Sequence, residues 1–261
     1  MSAREDTART EPAQLGLDGR VALVTGAARG LGRAIAHQLC AAGCDVYVNY
    51  HRDDDSARQT IEELAGLKGT AVAVRADVRD GAAFHALLDQ VAEERGGLDV
   101  FVHNAATFRY NTAVGPDPES FRSELELALN PLLSGGPRLA ELMAGRPGRI
   151  IVVSSNGAHS VIPGYVNVGV AKAAVENLVR YLAVELAGRG ISVNAVATAL
   201  LDKGELTPNR SIAEFLGRRT PAGRLSTPRD VAEFVTLLAT DQAAWLQGQV
   251  ITVDGGLGLL A

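Results

Sequence analysis

Sulfur and large aromatic residues are scarce in this chain. It has two cysteines, two methionines and one tryptophan in 261 residues, and aromatics make up 5%. Cys40 and Cys44 fall at the end of an expected helix and the start of an expected strand, without metal-ligand spacing. That excludes a disulfide framework, predicts no metal site, and fits two buried thiols in a reducing cytoplasm. No apolar run approaches the ~18 residues of a membrane span. The opening MSAREDTARTEPAQ has no apolar centre and mixes both signs of charge, unlike a secretory or transit peptide. Basic excess is lacking too: the net charge is −5, so no nucleic-acid partner is expected. Repeats, linkers and composition breaks are also missing. The expectation is a flexible N-terminal tail at 1–17 and one domain over 18–261.

What the chain does have is alternation. Apolar residues reach 47%, enough for a sizeable core. Short, nearly all-apolar runs read as buried parallel strands: V21-A-L-V-T25, V46-Y-V-N49, A71-V-A-V-R75, L98-D-V-F-V-H103, R149-I-I-V-V-S154, I191-S-V-N-A-V196 and V250-I-T-V253. Helical patterns lie between them, at R33–L39, F84–V91 and V175–L186, the last with apolar residues at Val175, Leu178, Val179, Leu182 and Leu186. Right-handed crossovers then predict an α/β fold, a single doubly wound Rossmann domain with a seven-stranded parallel sheet. Two stretches lack any pattern, Thr107–Pro118 after the fourth strand and Ala199–Asn209 after the sixth. Both leave carboxyl ends of strands, where such sheets bind ligands, and are the candidate substrate loops.

T25-G-A-A-R-G-L-G32 joins the first strand to the first helix. Gly26, Gly30 and Gly32 permit a tight turn and close approach of a pyrophosphate, with Arg29 and Leu31 between them, and the helix N-terminus offers free N–H groups. The spacing TGxxxGxG resembles that of the short-chain dehydrogenase/reductase family. Further matches follow in family order: Ala76-Asp77-Val78, His103-Asn104-Ala105-Ala106, Asn130, Ser154-Ser155, Val193-Asn194-Ala195 and Val253-Asp254-Gly255-Gly256. The resemblance covers 18–261. It implies that Asp77 and Val78 hold the adenine, that Asn104 and Ala105 lie beside the cofactor ribose, and that Asn130 belongs to the catalytic set. The second strand ends Val48-Asn49-Tyr50-His51-Arg52, with no acid at its tip for a ribose 2′-hydroxyl. Arg29 and Arg52 suit a 2′-phosphate instead, with Tyr50 beside them, so the expected cofactor is NADPH. Either arginine as a plain solvent residue stays open. Asp53, Asp54 and Asp55 read as the start of the next helix.

Tyr165 and Lys172 stand seven residues apart in G164-Y-V-N-V-G-V-A-K172. In most of the resembled family a tyrosine sits four residues before the lysine; here that position is Val168, which cannot give a proton. Seven residues are about two helical turns, so the two side chains are expected on one face. The wide spacing, and the whole segment YVNVGVAKAAVENLVRYLAVEL, resembles the enoyl-ACP reductases, above all the NADPH-dependent type called enoyl-ACP reductase III. That resemblance implies Tyr165 and Lys172 as catalytic partners, with Tyr165 stabilising an enolate after hydride reaches the β-carbon of a 2-enoyl thioester. A neighbouring ammonium is expected to lower the phenol pKa. Ser155 stands in the register of a carbonyl-binding serine, though a structural role at the strand end stays open. His159 and Asn156 share its loop. Phe108 and Tyr110 are candidate acyl-site residues, with packing as the alternative.

The pattern departs from the family at His103-Asn104-Ala105-Ala106, at Thr198-Ala199 where Pro-Gly is usual, and at Lys203, where a threonine is usual. Lys203 could seat a pantetheine phosphate. The expected partners are a small-molecule or carrier-bound acyl substrate, on acyl carrier protein or coenzyme A, and further copies of the chain in a homotetramer. Two other readings stay open: a ketoreductase of a specialised or polyketide pathway, and a nonenzymatic NADP-binding module, against which Lys172 and Asn130 count.

Overall fold

The structure is a computed structural model that describes residues 15–260. Seven strands form one parallel sheet: β1 (Val21–Val24), β2 (Asp45–Tyr50), β3 (Ala71–Arg75), β4 (Val100–His103), β5 (Gly148–Ser155), β6 (Ile191–Thr198) and β7 (Val250–Thr252). The spatial order is β3-β2-β1-β4-β5-β6-β7. The direction of winding reverses between β1 and β4, which opens a crevice beyond their carboxyl ends. β1, β4, β5 and β6 are buried along their whole length. That is why these strands read as continuous apolar runs rather than as alternations.

The described residues form eight α-helices: α1 (Gly30–Ala41), α2 (Asp54–Leu64), α3 (Gly81–Arg95), α4 (Pro118–Leu133), α5 (Gly136–Leu142), α6 (Val166–Ala187), α7 (Arg210–Arg219) and α8 (Pro228–Leu238). One core packs α3 to α6 on the sheet through Phe84, Leu88, Leu139, Val175 and Val179. The other packs α1 and α8 through Ile35, Leu39, Val231 and Val235. Each such fully buried side chain contributes roughly 1.5–3 kcal/mol. The starts of α2, α3, α4, α7 and α8 are capped by local side chains. Asp53 accepts from Ser56 N at 2.9 Å, so the acids after β2 open α2 as expected. Thr227 and Asp230 form a reciprocal capping box on α8.

The core reaches back before residue 18. Leu17 is fully buried and Leu15 packs on the same cluster, so only 1–14 of the expected tail lie outside the described residues. Cys40 and Cys44 are free and buried, and burial pushes the Cys44 thiol up to about 12. Among the described residues no helix is long and apolar enough to cross a membrane, and no cluster of metal-ligating side chains occurs.

The two patternless stretches behave differently. The 107–118 loop is fastened: Asn111 N donates to Gly164 O at 3.0 Å, Asn111 Nδ2 to Asn167 Oδ1 at 2.8 Å, and Asn167 Nδ2 to Ser120 Oγ at 2.9 Å, all three side chains being buried. The 199–209 stretch leads into α7, which has no buried residue.

Candidate active site

Beyond the carboxyl ends of β1, β2 and β4 lies a cleft of about 930 Å³. Its floor is the glycine loop. Gly30 has φ +56°, left-handed backbone that favours glycine, and a Cβ there would project into open space. A Cβ on Gly32 would meet Gly26 O and Asn104 Nδ2 at 2.2 and 2.6 Å, so the turn closes only around glycine. No side chain caps α1; Arg29 precedes it with extended backbone. The first N–H groups of that helix are thus left for an anion.

A buried network stiffens this floor. The Thr25 hydroxyl accepts from Asn104 N and Ala105 N, both at 3.0 Å, and lies 3.0 Å from His103 Nδ1. His103 Nε2 lies 3.2 Å from Ala128 O. The consistent assignment has Nε2–H donating to the carbonyl and Nδ1 accepting the Thr25 proton, so the ring is neutral. Burial drives its pKa from 6.5 down to about 3, with Lys172 adding to the shift. Asn49 ties the loop to the neighbouring strand, donating to Val74 O and Ala76 O.

The expected cofactor residues converge here. Gly26, Arg29, Gly30, Leu31, Gly32, Tyr50, Arg52, Asp77, Val78, Asn104 and Ala105 all line the cleft, whereas Lys172, expected to hold the nicotinamide ribose, is not among its lining residues. Arg29 and Arg52 are exposed. Asp77 is held below its ordinary range mainly by Arg79, whose Nη2 is 2.6 Å from Oδ2. Lys203 also lines the cleft, as does Phe108. These residues fit a dinucleotide: a glycine-shaped floor, an uncapped helix start and two guanidinium groups at the rim.

The remaining candidate residues lie where β5 meets α6. Tyr165 is not in the helix but is the residue just before it, with φ −107° and ψ 11°. As the N-cap, its carbonyl accepts from Gly169 N at 2.8 Å, and the preceding Gly164, at φ +75°, ends the turn that delivers the phenol. Tyr165 OH lies 3.4 Å from Ser155 Oγ, and Ser155 Oγ accepts from Gly157 N at 3.1 Å. Phe108 packs on the Tyr165 ring, centroids 5.7 Å apart, and Tyr110 lies against Gly164. Val168 faces the core, 2% exposed.

Lys172 is buried and donates to Val153 O at 2.7 Å. Desolvation lowers its pKa to about 8, against the pull of Glu124 and Glu176. Tyr165 is shifted upward, first by burial and then by Glu124, with the Ser155 hydrogen bond opposing. The expected lowering of the phenol by a neighbouring ammonium is therefore not found. Lys172 spends a donor on the strand carbonyl, and desolvation dominates at the phenol.

Asn130 is not brought to this group. Its amide donates to Arg79 O at 3.2 Å. Glu124, from the same helix, does face it: its carboxylate accepts from Thr107 N at 3.3 Å and from the Thr107 hydroxyl, and its charge acts on both Tyr165 and Lys172. Sequence reasoning missed Glu124. It also missed Glu176, which its place four residues after Lys172 on one helix face was enough to flag.

Comparison with known proteins adds three findings. The family model described as enoyl-(acyl carrier protein) reductase matches residues 26–258. The 1-cyclohexenylcarbonyl-CoA reductase of Streptomyces collinus is 37% identical over 93% of this chain and 88% of its own length, and a 3-oxoacyl-[acyl-carrier-protein] reductase of Synechocystis is 35% identical over 92% and 98%. A short-chain dehydrogenase of Burkholderia cenocepacia, solved in complex with NADP, superposes with a TM-score of 0.85 at 30% identity, covering 92% of this chain and 98% of that one.

Proposed function

Because the chain belongs to the short-chain dehydrogenase/reductase family, we propose that this oxidoreductase uses NADPH to reduce the carbon–carbon double bond of a 2-enoyl thioester, carried on coenzyme A or acyl carrier protein. The observation that carries the reading is the placement of Tyr165. It stands seven residues before Lys172, while the four-before position is filled by a core valine.

NADPH, when bound, supplies the hydride. The glycine loop and the start of α1 take the pyrophosphate, and Arg29 and Arg52 take the 2′-phosphate. Lys172 keeps two N–H donors beyond the one on Val153 O, and these are the donors that hold the nicotinamide ribose. As hydride reaches the β-carbon, negative charge gathers on the thioester oxygen. Tyr165 donates its hydrogen bond there, with the phenol kept protonated by its burial, and Ser155 orients the hydroxyl. Phe108 and Tyr110 form the wall against the acyl group, and Lys203 at the cleft mouth meets a carrier phosphate. The resemblance to 1-cyclohexenylcarbonyl-CoA reductase supports this reading.

A ketoreductase is the second reading, favoured by the direct Tyr165–Ser155 pairing, which suits a single carbonyl oxygen, and by the 3-oxoacyl-[acyl-carrier-protein] reductase among its relatives. NADPH oxidation with crotonyl and acetoacetyl thioesters separates the two. Faster turnover of the crotonyl thioester is expected; turnover of the acetoacetyl thioester alone would replace the first reading with the second.

The protein works as a homotetramer in this reading. Leu133 at the end of α4 and Val170, Tyr181 and Val184 on α6 are 57%, 43%, 63% and 81% exposed, an apolar outer surface that association would cover. Light scattering at micromolar concentration is expected to give four subunits; a monomer contradicts it.

A further inference from the structure

Two buried carboxylates flank Lys172. Glu124 comes from α4 and is 3% exposed; Glu176, one turn along α6, is 1% exposed. One ammonium against two carboxylates leaves a net negative charge in the interior, which is costly without another cation. Glu176 Oε1 accepts from Ser154 Oγ at 2.5 Å. Its Oε2 has no well-aligned hydrogen bond, but His159 Nε2 lies 2.6 Å away. The His159 side chain is 60% exposed, so the ring spans from the buried carboxylate to solvent.

We propose that His159 is a positioning residue for the reduction: its imidazolium, seated on Glu176, completes the charge of the buried cluster and sets the ionisation of Lys172. The role in reduction rests on the reductase reading; the charge coupling does not. The other polar groups around the cluster are accounted for. His103, from β4, is neutral; Tyr165 is held protonated; Glu124, from α4, is tied to Thr107; Asp254, after β7, accepts from Asn156 at 2.8 Å on the loop that carries His159.

Two substitutions isolate the charge. His159→Gln keeps an N–H donor without charge; His159→Arg keeps the charge without titrating. The readout is the titration of Lys172 in substrate-free protein, followed by the ¹³Cε resonance that Lys172→Met lacks. A positive charge at 159 disfavours the ammonium, so the midpoint in His159→Arg is expected about one pH unit below that in His159→Gln. With Glu176→Gln added to each, the two should converge, because a cation without its anionic seat extends into solvent and is screened. The alkaline limb of kcat/KM should move in the same order. Arg and Gln variants that titrate together while Glu176 is present overturn the proposal, as does a gap undiminished by Glu176→Gln; His159→Lys repeats the test where arginine disturbs the loop. Lack of NADPH oxidation by the wild type would sink the reductase reading and leave the titration result standing.

Discussion

The nucleotide cleft and the region around Lys172 handle charge in opposite ways. At the nucleotide end the recognition groups are exposed arginines over a floor of backbone N–H groups, and the buried network beneath them is neutral. At the catalytic end the charges themselves are buried: Lys172, Glu124 and Glu176 share one interior region. Exposed charges are screened by water and salt, whereas buried ones are screened little. Binding at the first end should therefore degrade gradually under substitution, and chemistry at the second should fail sharply.

The largest effect is expected at the buried end. Tyr165→Phe should lower kcat by roughly 10²–10³, the scale of losing one oxyanion donor, with little change in NADPH affinity. Lys172→Ala should instead weaken NADPH binding clearly, as fluorescence titration would show. A Tyr165→Phe enzyme with near-full activity on every substrate the wild type reduces would remove the shifted-tyrosine assignment and turn attention to Ser155.

The floor of the nucleotide end sharpens the contrast through stability. His103 is depressed from 6.5 to about 3, so the unfolded chain takes up a proton that the folded one refuses. Its contribution is intact above pH 6.5 and is lost as pH falls toward 3. By pH 4 the loss is roughly 3 kcal/mol. His103→Asn keeps a donor and an acceptor without the titration, and should flatten this part of the pH dependence in urea unfolding. An unchanged slope would place the acid sensitivity elsewhere.

The smallest effect is expected at the rim. NADPH should bind at least about tenfold more tightly than NADH at low salt, with the difference shrinking as salt rises. A preference that survives both Arg29→Ala and Arg52→Ala would break the assignment of the 2′-phosphate to these residues.

Most of the fold was legible because buried parallel strands announce themselves locally. Each β-branched run from Val21 to Val253 became a strand within two residues of its expected ends. The glycine loop was legible for the same reason: its requirement is written in consecutive residues. The catalytic end was legible only in part. Tyr165 and Ser155 do meet, 3.4 Å apart, while Lys172 on α6 donates to Val153 O and Gly164 holds a left-handed turn just before the helix. Asn130 matched a family position by order along the chain, yet its amide serves Arg79 O. Burial of Glu124 could not be read from α4 alone, because its charge is balanced by a lysine 48 residues further along the chain. Partners that distant leave no local pattern.

The pinning of the 107–118 loop has a consequence for how such a site can diversify. Asn111 pairs with the backbone at Gly164 and, through Asn167, with Ser120, so the loop proposed to wall the substrate also fixes the turn that presents Tyr165. Wall and catalyst are one mechanical unit. Grafting in a longer loop would carry the phenol off its mark along with the wall, so new substrates are reached most readily by exchanging side chains such as Phe108 and Tyr110 on an unchanged backbone.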